Sequence, residues 1–562
     1  MRIRRIWLLS KPFKITYAKS GIKIRNRGLC IGADIARIST HPVFASLDHP
    51  LFCKQKRGFR KFLFFLPSLQ LVAERVVERS KDRVSRSAST QFVEVISKVT
   101  LSLLFITGNT FAQPLEQKLQ SAFNRLQADS QCRYASVSLT VLDAKTGEQV
   151  FAVNPNMGLA TASTLKVITS TTAFNLLGKD FQYQTQFGYT GTISTDGTLT
   201  GDVIIKGGGD PTLGSWRYEG THENHILTLM VDALQKAGIK KINGRVIGDD
   251  SVFGSQSIPE GWIWMDVGNY YGAGTSGLCW RENQFDIKLK TGRIDSQISI
   301  SREVPAMPYL NFKSELINSP SGTGDDAYAF LPVGGNMMYL RGTYAEDQTK
   351  KSISVALPDP AYDAAFRLAD TLKRLGILVN NDPESTNTLT AKGLQIPQIA
   401  TNLASILSPK LSQIIYWLNQ KSINLYAEQL LKTIAWKAGK QPSTGNGVEV
   451  EQDFWKARGI DPHSMNIVDG SGLSPGDRVT TSTMATILQS AKKETWFPDF
   501  YESLPTSNNM KMKSGSILNV LTYAGYQTYN GRELCFSIMV NNFNGSSREI
   551  KEKMFRVLDE MK

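Results

Sequence analysis

The chain has 562 residues, of which 41% are hydrophobic and 20% are charged, a composition typical of a globular protein with room for several domains of about 100–200 residues. Its net charge of +14 arises in one region, because residues 1–112 hold 21 Lys and Arg against 6 Asp and Glu, whereas the remainder holds 43 against 44. The folded body therefore has no basic surplus, which excludes a nucleic-acid-binding footprint, and we expect no nucleic-acid partner.

The first predicted element is an export signal over residues 91–112. The stretch "SKVTLSLLFITGNTFAQ" has Lys98, an apolar run from Val99 to Ile106, and small or polar residues ending at Ala112. The run is shorter than the roughly 20 residues that a membrane-spanning helix needs. We therefore expect cleavage after Ala112 and an exported protein of a bacterial periplasm or cell envelope.

Residues 1–90 form a basic extension that we expect to be unstructured or not expressed, as upstream sequence read in frame from a misplaced start. The alternative is a genuine extension in which the stretch "FRKFLFFLPSLQLV" faces a membrane. In either case contact with a membrane would be peripheral at most.

A hairpin and a helix follow the signal. Residues 134–154 alternate apolar and polar side chains around a glycine-containing turn, which predicts a β-hairpin. The next apolar segment predicts a helix over residues 162–178 that ends at Gly178.

The start of that helix carries Ser163 and Lys166. Residues three apart on a helix are neighbours, and the apolar residues around this pair indicate burial. A buried lysine loses its charge more easily and can then act as a base for a serine nucleophile. The pattern Ser-x-x-Lys also occurs at Ser20 and at Ser490, so it does not by itself exclude an ordinary solvated lysine.

The long middle of the chain, residues 186–394, is predicted to be an inserted α+β domain. Short alternating runs and turns near 285–356 suggest a β subdomain within it. Residues 363–377 predict an amphipathic helix. The glycines of "GGGDPTL" (207–213) lack the Lys-Ser/Thr of a nucleotide-binding loop. Asp210 in this stretch is a candidate for positioning the insert near the active site, and the alternative is that it caps its own turn.

Two further short motifs lie beyond the insert. Ser422 and Asn424 occupy the predicted turn between two amphipathic helices. Ser-x-Asn also occurs at Ser464 and Ser507, but neither of those lies between two helices.

The second of these motifs is Lys513-Ser514-Gly515 on a predicted edge strand. Lys-Ser/Thr-Gly also occurs at Lys145 and Lys290, but only Lys513 combines an edge-like strand with a position after the other motifs. A glycine there would let the backbone of a substrate approach the strand.

The chain ends on a second hairpin and a helix. Asn530-Gly531 between two β-rich runs is a strong hairpin signal, and the last stretch, "SSREIKEKMFRVLDEMK", has apolar residues at helical spacing. Strands and helices at both ends indicate one sheet built from residues 113–185 and 395–562, which we predict to be the catalytic domain.

Cysteines and histidines are few beyond the predicted cleavage site. Cys132, Cys279 and Cys535 are odd in number, so at least one is free or pairs between chains. His222, His225 and His463 show no spacing of a zinc site, and we expect no metal.

The three motifs in this order resemble the active-site signature of penicillin-recognising serine enzymes. Further stretches strengthen the resemblance to the class C low-molecular-mass penicillin-binding proteins, the penicillin-binding protein 4 type of D-Ala-D-Ala carboxypeptidase/endopeptidase: "GGGDPTL", "SPKLSQII", "SINLYAE", "VDGSGLS" and "KSGSI…AGY". The resemblance covers residues 115–562. It implies an α+β fold, a transpeptidase/β-lactamase-like domain with an antiparallel five-stranded sheet flanked by helices, split by a large insert.

The resemblance also implies a substrate and roles for the first two motifs. Peptidoglycan stem peptides would be hydrolysed through an acyl-enzyme, β-lactams would inhibit, and no cofactor would be needed. Ser163 would be the acylated nucleophile and Lys166 its base. Ser422 would relay a proton to the leaving amine, and Asn424 would orient Lys166 and the substrate amide.

For the third motif, the resemblance implies that Lys513 supplies positive charge and that Ser514 binds the terminal carboxylate, beside Gly515. The backbone N–H groups of Ser163 and Ser516 would form the oxyanion hole. Ser514 stands where threonine is commoner in this family, and it keeps the hydroxyl.

Two alternative functions are distinguishable from this one. A serine β-lactamase shares the motifs, but those enzymes are compact, and fast turnover of a chromogenic cephalosporin would identify one. A non-catalytic module that binds the cell wall or senses β-lactams is disfavoured because all three motifs are intact.

Overall fold

The computed structural model describes residues 113–562. The predictions for the basic extension, the export signal and the Ser-x-x-Lys at Ser20 lie outside these residues. Within them, no helix combines the length and the apolar character that crossing a membrane requires.

Helices and strands occur along the whole described part of the chain. The α-helices are α1 (Leu115–Gln127), α2 (Lys166–Leu177), α3 (Glu223–Lys236), α4 (Trp264–Val267), α5 (Pro360–Arg374), α6 (Thr386–Ala391), α7 (Leu411–Lys421), α8 (Asn424–Lys437), α9 (Thr444–Lys456), α10 (Thr481–Ala491), α11 (Phe497–Ser503) and α12 (Ser547–Leu558). The strands are β1 (Ser136–Asp143), β2 (Gln149–Val153), β3 (Gln184–Tyr189), β4 (Thr192–Ile193), β5 (Thr198–Thr200), β6 (Val203–Lys206), β7 (Lys241–Asn243), β8 (Val246–Asp249), β9 (Gln284–Lys290), β10 (Ser299–Val304), β11 (Asn311–Ser319), β12 (Asp325–Phe330), β13 (Met337–Ala345), β14 (Ser352–Ala356), β15 (Leu378–Val379), β16 (Glu384–Ser385), β17 (Thr401–Leu407), β18 (Met465–Asn466), β19 (Arg478–Val479), β20 (Thr506–Ser507), β21 (Met510–Ile517), β22 (Val520–Tyr529) and β23 (Arg532–Asn541).

The main sheet is built from both ends of the described chain. Its strand order is β2-β1-β23-β22-β21-β20, and each neighbouring pair is antiparallel. The turn between β22 and β23 is the predicted Asn530-Gly531, with φ of 48° and 79°. Five strands of five residues or more match the implied five-stranded sheet, and the two-residue β20 adds a short sixth strand.

Helices cover both faces of this sheet, which explains why β1, β22 and β23 are buried along most of their length. One face packs against α1 and α12. Ile550 and Met554 of α12 are completely buried there, as their helical spacing predicts. Burying an apolar side chain of this size stabilises the fold by about 1.5–3 kcal/mol.

The opposite face shares a core with α10 and with α2, α7 and α8, the helices at which the first two motifs lie. Helix α2 is buried along all of its first nine residues. Its hydroxyl groups turn back onto the helix, as Thr171 donates to Val167 O and Thr172 to Ile168 O at 2.8 Å. A helix buried on every side is the central element of its layer.

The middle of the chain forms further sheets. The order β16-β8-β6-β3-β17 makes a five-stranded sheet whose core includes α3 and α5. Strands β9 to β14 form two three-stranded sheets around one shared core, in the region predicted to contain a β subdomain. Because β3 begins at Gln184 and β17 ends at Leu407, the strands of this part extend slightly beyond residues 186–394. The domain boundaries themselves remain a prediction.

Candidate active site

Ser163 and Lys166 lie where a short 3₁₀ helix, Ala162–Leu165, runs into α2. Together the two helices cover the helix predicted from sequence, which ends at Gly178 with a φ of +81°. Ser163 is half-buried and Lys166 is fully buried. The Lys166 Nζ lies 2.9 Å from the Ser163 Oγ.

The Lys166 amine has two further partners, and both are acceptors. The Asn424 Oδ1 and the Ser471 carbonyl oxygen each lie 2.6 Å from Nζ. A neutral amine has two N–H groups and one lone pair. When the two oxygens accept the two N–H groups, the lone pair is directed at the hydroxyl of Ser163, which is the geometry that a general base requires.

Burial lowers the pKa of Lys166 to about 7, because no water solvates the charged form, although the nearby carboxyl groups of Asp469, Glu428 and Asp477 act in the opposite direction. A lysine with this pKa is half neutral at pH 7. The value favours proton abstraction from a serine at physiological pH.

Ser422 and Asn424 occupy the tight turn between α7 and α8, as predicted. Ser422 ends α7 in the left-handed conformation, with a φ of 56°. This turn brings Asn424, the first residue of α8, over Lys166. The Asn424 Nδ2 donates to the carbonyl oxygen of Tyr271 across 2.7 Å, so the opposite end of the amide must face Lys166.

Lys513 on β21 connects to the second motif. Its Nζ donates to the Ser422 Oγ at 3.0 Å and to the Ser514 carbonyl oxygen at 2.8 Å. Burial, with added repulsion from Lys166, holds the pKa of Lys513 well below its ordinary value.

Strand β21 alternates faces after Lys513: Ser514 and Ser516 are exposed and Gly515 is buried. A Cβ on Gly515 would lie 2.6 Å from the Thr161 carbonyl oxygen and 2.7 Å from the Ser163 backbone nitrogen. The contact that requires a glycine is therefore with the serine turn of the protein itself, whereas the sequence suggested a substrate backbone. The glycine lets β21 lie directly against that turn.

The loop between β18 and β19 was not assigned a role from sequence. Its carbonyl at Ser471 is a partner of Lys166, and the Glu428 carboxyl group holds the loop by accepting from the Gly470 N–H at 3.0 Å. Burial raises the pKa of Glu428 to about 8. The stretch "VDGSGLS" was noted only for its resemblance, because a backbone carbonyl leaves no signal in residue spacing.

Asp210 does not join this group through its hydrogen bonds. Its Oδ1 accepts from the Thr212 N–H at 2.8 Å and from the Thr212 Oγ1 at 2.6 Å. Burial raises the pKa of Asp210 to about 6. These contacts are those of a residue that caps its own turn.

We expect Asp210→Ala to lower the free energy of unfolding by about 1–3 kcal/mol, because two hydrogen bonds of a buried turn are lost. The kcat/KM of the folded fraction should stay unchanged. Asp210→Asn, which keeps an acceptor oxygen, is the matched control, and thermal melts with peptide-hydrolysis assays measure both effects. A folded Asp210→Ala protein with reduced kcat/KM would instead support a positioning role.

Three cysteines lie within residues 113–562. Cys132, Cys279 and Cys535 are all buried, and none of them forms a disulfide with another described residue. No cluster of His, Cys, Asp and Glu side chains suited to a metal ion occurs among the described residues.

Comparison with known proteins identifies one family and several relatives. Residues 119–561 match the model of the D-Ala-D-Ala carboxypeptidase 3 (S13) family. A D-alanyl-D-alanine carboxypeptidase of Actinomadura sp. is 24% identical over 458 residues, covering 76% of this chain and 82% of that protein. The D-alanyl-D-alanine carboxypeptidase DacB of Haemophilus influenzae is 26% identical over 421 residues, covering 71% and 84%.

The fold is also similar to that of a solved structure. The crystal structure of penicillin binding protein 4 (dacB) from Haemophilus influenzae matches with a TM-score of 0.66 at 23% identity, over 78% of this chain and 98% of that one. The predicted α+β fold is thereby confirmed.

Proposed function

The chain belongs to the D-Ala-D-Ala carboxypeptidase 3 (S13) family and is a serine-type D-Ala-D-Ala carboxypeptidase, and we propose that it hydrolyses peptidoglycan stem peptides through an acyl-enzyme formed on Ser163. One observation carries the assignment of the site. Lys166 is buried, its amine lies 2.9 Å from the Ser163 hydroxyl, and the two other hydrogen-bond partners of the amine are both acceptors.

In the acylation step, Ser163 Oγ attacks the carbonyl carbon of the penultimate D-Ala while its proton passes to the neutral amine of Lys166. The negative charge that develops on the carbonyl oxygen is stabilised by the backbone N–H groups of Ser163 and Ser516. Asn424 orients Lys166 and binds the amide of the substrate.

Collapse of the tetrahedral intermediate breaks the peptide bond. The hydroxyl of Ser422, whose oxygen accepts a hydrogen bond from Lys513, gives its proton to the leaving amine of the terminal D-Ala. Ser422 takes in its place the proton that Lys166 removed from Ser163, so it acts as a relay and Lys166 is neutral again. Lys166 then accepts a proton from a water molecule whose oxygen bonds to the carbonyl carbon of the ester. It returns that proton to the Ser163 Oγ as the ester bond breaks, which regenerates the free enzyme.

Lys513 and Ser514 select the end of the peptide. A buried lysine with a strongly lowered pKa is readily protonated when an anion arrives beside it, because the opposite charge favours its charged form. The terminal carboxylate of a stem peptide supplies that anion, and the exposed Ser514 hydroxyl binds it. Gly515 keeps the strand against the serine turn.

β-Lactams are proposed to acylate Ser163 in the same way and to inhibit the enzyme. Two comparisons are in keeping with this, since the relatives carry the names of D-Ala-D-Ala carboxypeptidases and penicillin-binding proteins. The predicted export signal would place the enzyme outside the cytoplasm with its substrate.

Digestion of purified cross-linked muropeptides, with chromatographic separation of the products, tests this function. We expect D-Ala release, cleavage of cross-bridges that end in D-Ala, or both, and prior incubation with penicillin should block them. A chromogenic cephalosporin should be captured stoichiometrically and turned over slowly. Rapid cephalosporin turnover without muropeptide cleavage would identify a β-lactamase instead, and neither reaction would indicate a binding module.

A further inference from the structure

The loop of residues 468–474, which we call the glycine loop, rests directly on the turn that carries Ser163. Gly472 has a φ of +77°, and a Cβ there would lie 1.9 Å from the carbonyl oxygen of Ala162. Thr169 of α2 donates to the Gly470 carbonyl oxygen at 2.7 Å. The position of this loop therefore determines where the Ser471 carbonyl stands relative to Lys166.

Asp469 fixes the shape of the glycine loop from inside. Its Oδ1 accepts from the N–H groups of Ser471 and Gly472, at 3.1 and 2.7 Å. Its Oδ2 accepts from the Ser474 N–H at 2.8 Å. The side chain is completely buried, so these bonds have no competition from water.

The fourth donor to Asp469 comes from outside the loop, from the segment that precedes α4. The Trp262 Nε1 donates to the Asp469 Oδ2 across 2.9 Å, and the indole is only 7% exposed. The preceding residue, Gly261, comes so close that a Cβ would lie 2.5 Å from the Ser474 Oγ. A segment from the middle of the chain thus contacts the glycine loop and holds it in place beside Lys166.

We propose that Trp262 and Asp469 are positioning residues for the reaction, which together hold the Ser471 carbonyl against Lys166 and so direct the lone pair of the amine at Ser163. This inference rests on the proposed role of Lys166 as the base. If the Ser471 carbonyl moved away, one N–H of the neutral amine would have no acceptor. The amine would then rotate, and the lone pair would no longer face the serine hydroxyl.

The test is Trp262→Phe, which removes the N–H donor and keeps most of the buried ring. With a fluorescent penicillin as probe, stopped-flow kinetics separate the acylation rate constant from the dissociation constant of the non-covalent complex. We expect acylation to slow about tenfold, the effect of one hydrogen bond to a charged group. The dissociation constant should not change, because Trp262 is buried behind the loop. Trp436→Phe, a partly exposed tryptophan on α8, is the matched control and should leave both constants unchanged.

A double-mutant cycle shows whether Trp262 acts through Asp469. Asp469→Asn should slow acylation about a hundredfold. The N–H₂ group of the new amide would face N–H groups that now donate to the carboxylate, and those hydrogen bonds would be lost. In that background Trp262→Phe should add no further loss. If the two substitutions slowed acylation independently, so that their factors multiplied in the double variant, the proposal would be overturned. A wild-type acylation rate in Trp262→Phe would overturn it as well. Rate constants from single exponentials do not depend on the folded fraction, so Trp262→Phe alone decides the matter if Asp469→Asn fails to fold.

Ser163→Ala separates this inference from the proposed function. If that variant is still labelled covalently, the proposed acyl-enzyme on Ser163 is wrong. If it is not labelled but Trp262→Phe reacts at the wild-type rate, only the positioning role is wrong.

Discussion

Ser163→Ala should abolish covalent labelling of the protein by a fluorescent penicillin and lower peptide hydrolysis by a factor on the order of 10⁴ to 10⁶, as expected when the nucleophile of a covalent mechanism is removed. The fold should be unaffected, because the half-buried hydroxyl contributes one hydrogen bond, to Lys166. Gel fluorescence and mass spectrometry of the intact protein measure the label.

The chain provides its own control for this experiment. Ser490 and Lys493 repeat the same Ser-x-x-Lys spacing at the end of α10, where Ser490 is half-buried and Lys493 is exposed. Ser490→Ala should be labelled at the wild-type rate. Labelling that survives in Ser163→Ala, or that is lost in Ser490→Ala, would show that the acylated residue has been assigned to the wrong serine.

Lys166→Arg should be nearly as damaging, with acylation slowed at least about a thousandfold, because arginine stays protonated at every accessible pH and cannot accept the serine proton. In the wild type the neutral lysine is the active form. Its pKa lies at about 7, so the acylation rate should rise with pH, reach half its maximum near pH 7, and fall about tenfold per pH unit below that.

Acylation rates measured from pH 5 to 10 for both proteins decide this prediction, with Lys493→Arg as the exposed control. The titratable groups that face Lys166 are Asp469, Glu428 and Asp477, which raise its pKa when they are ionised, and Lys513, whose charged form it repels. Near-wild-type acylation by Lys166→Arg would show that another group takes the proton, and the mechanism would have to be abandoned.

The side chains proposed to carry the chemistry were predictable from sequence, but the groups that hold them in position were not. Lys166, Asn424, Ser422 and Lys513 carry their chemistry in the side chain, and their order and local context were enough to group them. The roles given to them remain proposals. By contrast, Ser471 contributes only a backbone carbonyl, which any residue type possesses.

Trp262 and Asp469 were missed for a different reason. A tryptophan in an apolar stretch and an aspartate beside a glycine have ordinary structural explanations, and their pairing joins positions 207 residues apart. Gly515 was recognised as a position that needs close approach, but its neighbour was misidentified, because only the tertiary fold brings Thr161 and Ser163 under β21.

The outer elements of the fold followed from local patterns. The hairpin at Asn530-Gly531 and the amphipathic α12 have strong signals within a few residues. The sheets of the middle region do not, since strands such as β5 and β7 are three residues long and pair in parallel across an intervening helix. Which short strand pairs with which depends on packing around α3 and α5, and no single segment contains that information.

The pairing of β1 with β23 has a consequence for how the chain reaches its native state. Ser136 pairs with Asn541, so the sheet closes only after about 400 further residues have been synthesised. Contacts so distant in sequence make folding slow and leave apolar strands unpaired meanwhile. A chain interrupted just before Arg532 would contain Ser163, Ser422 and Lys513, yet β1 and β22 would lack the strand between them. The complete set of active-site residues is therefore present in the polypeptide before the sheet that must hold them can exist.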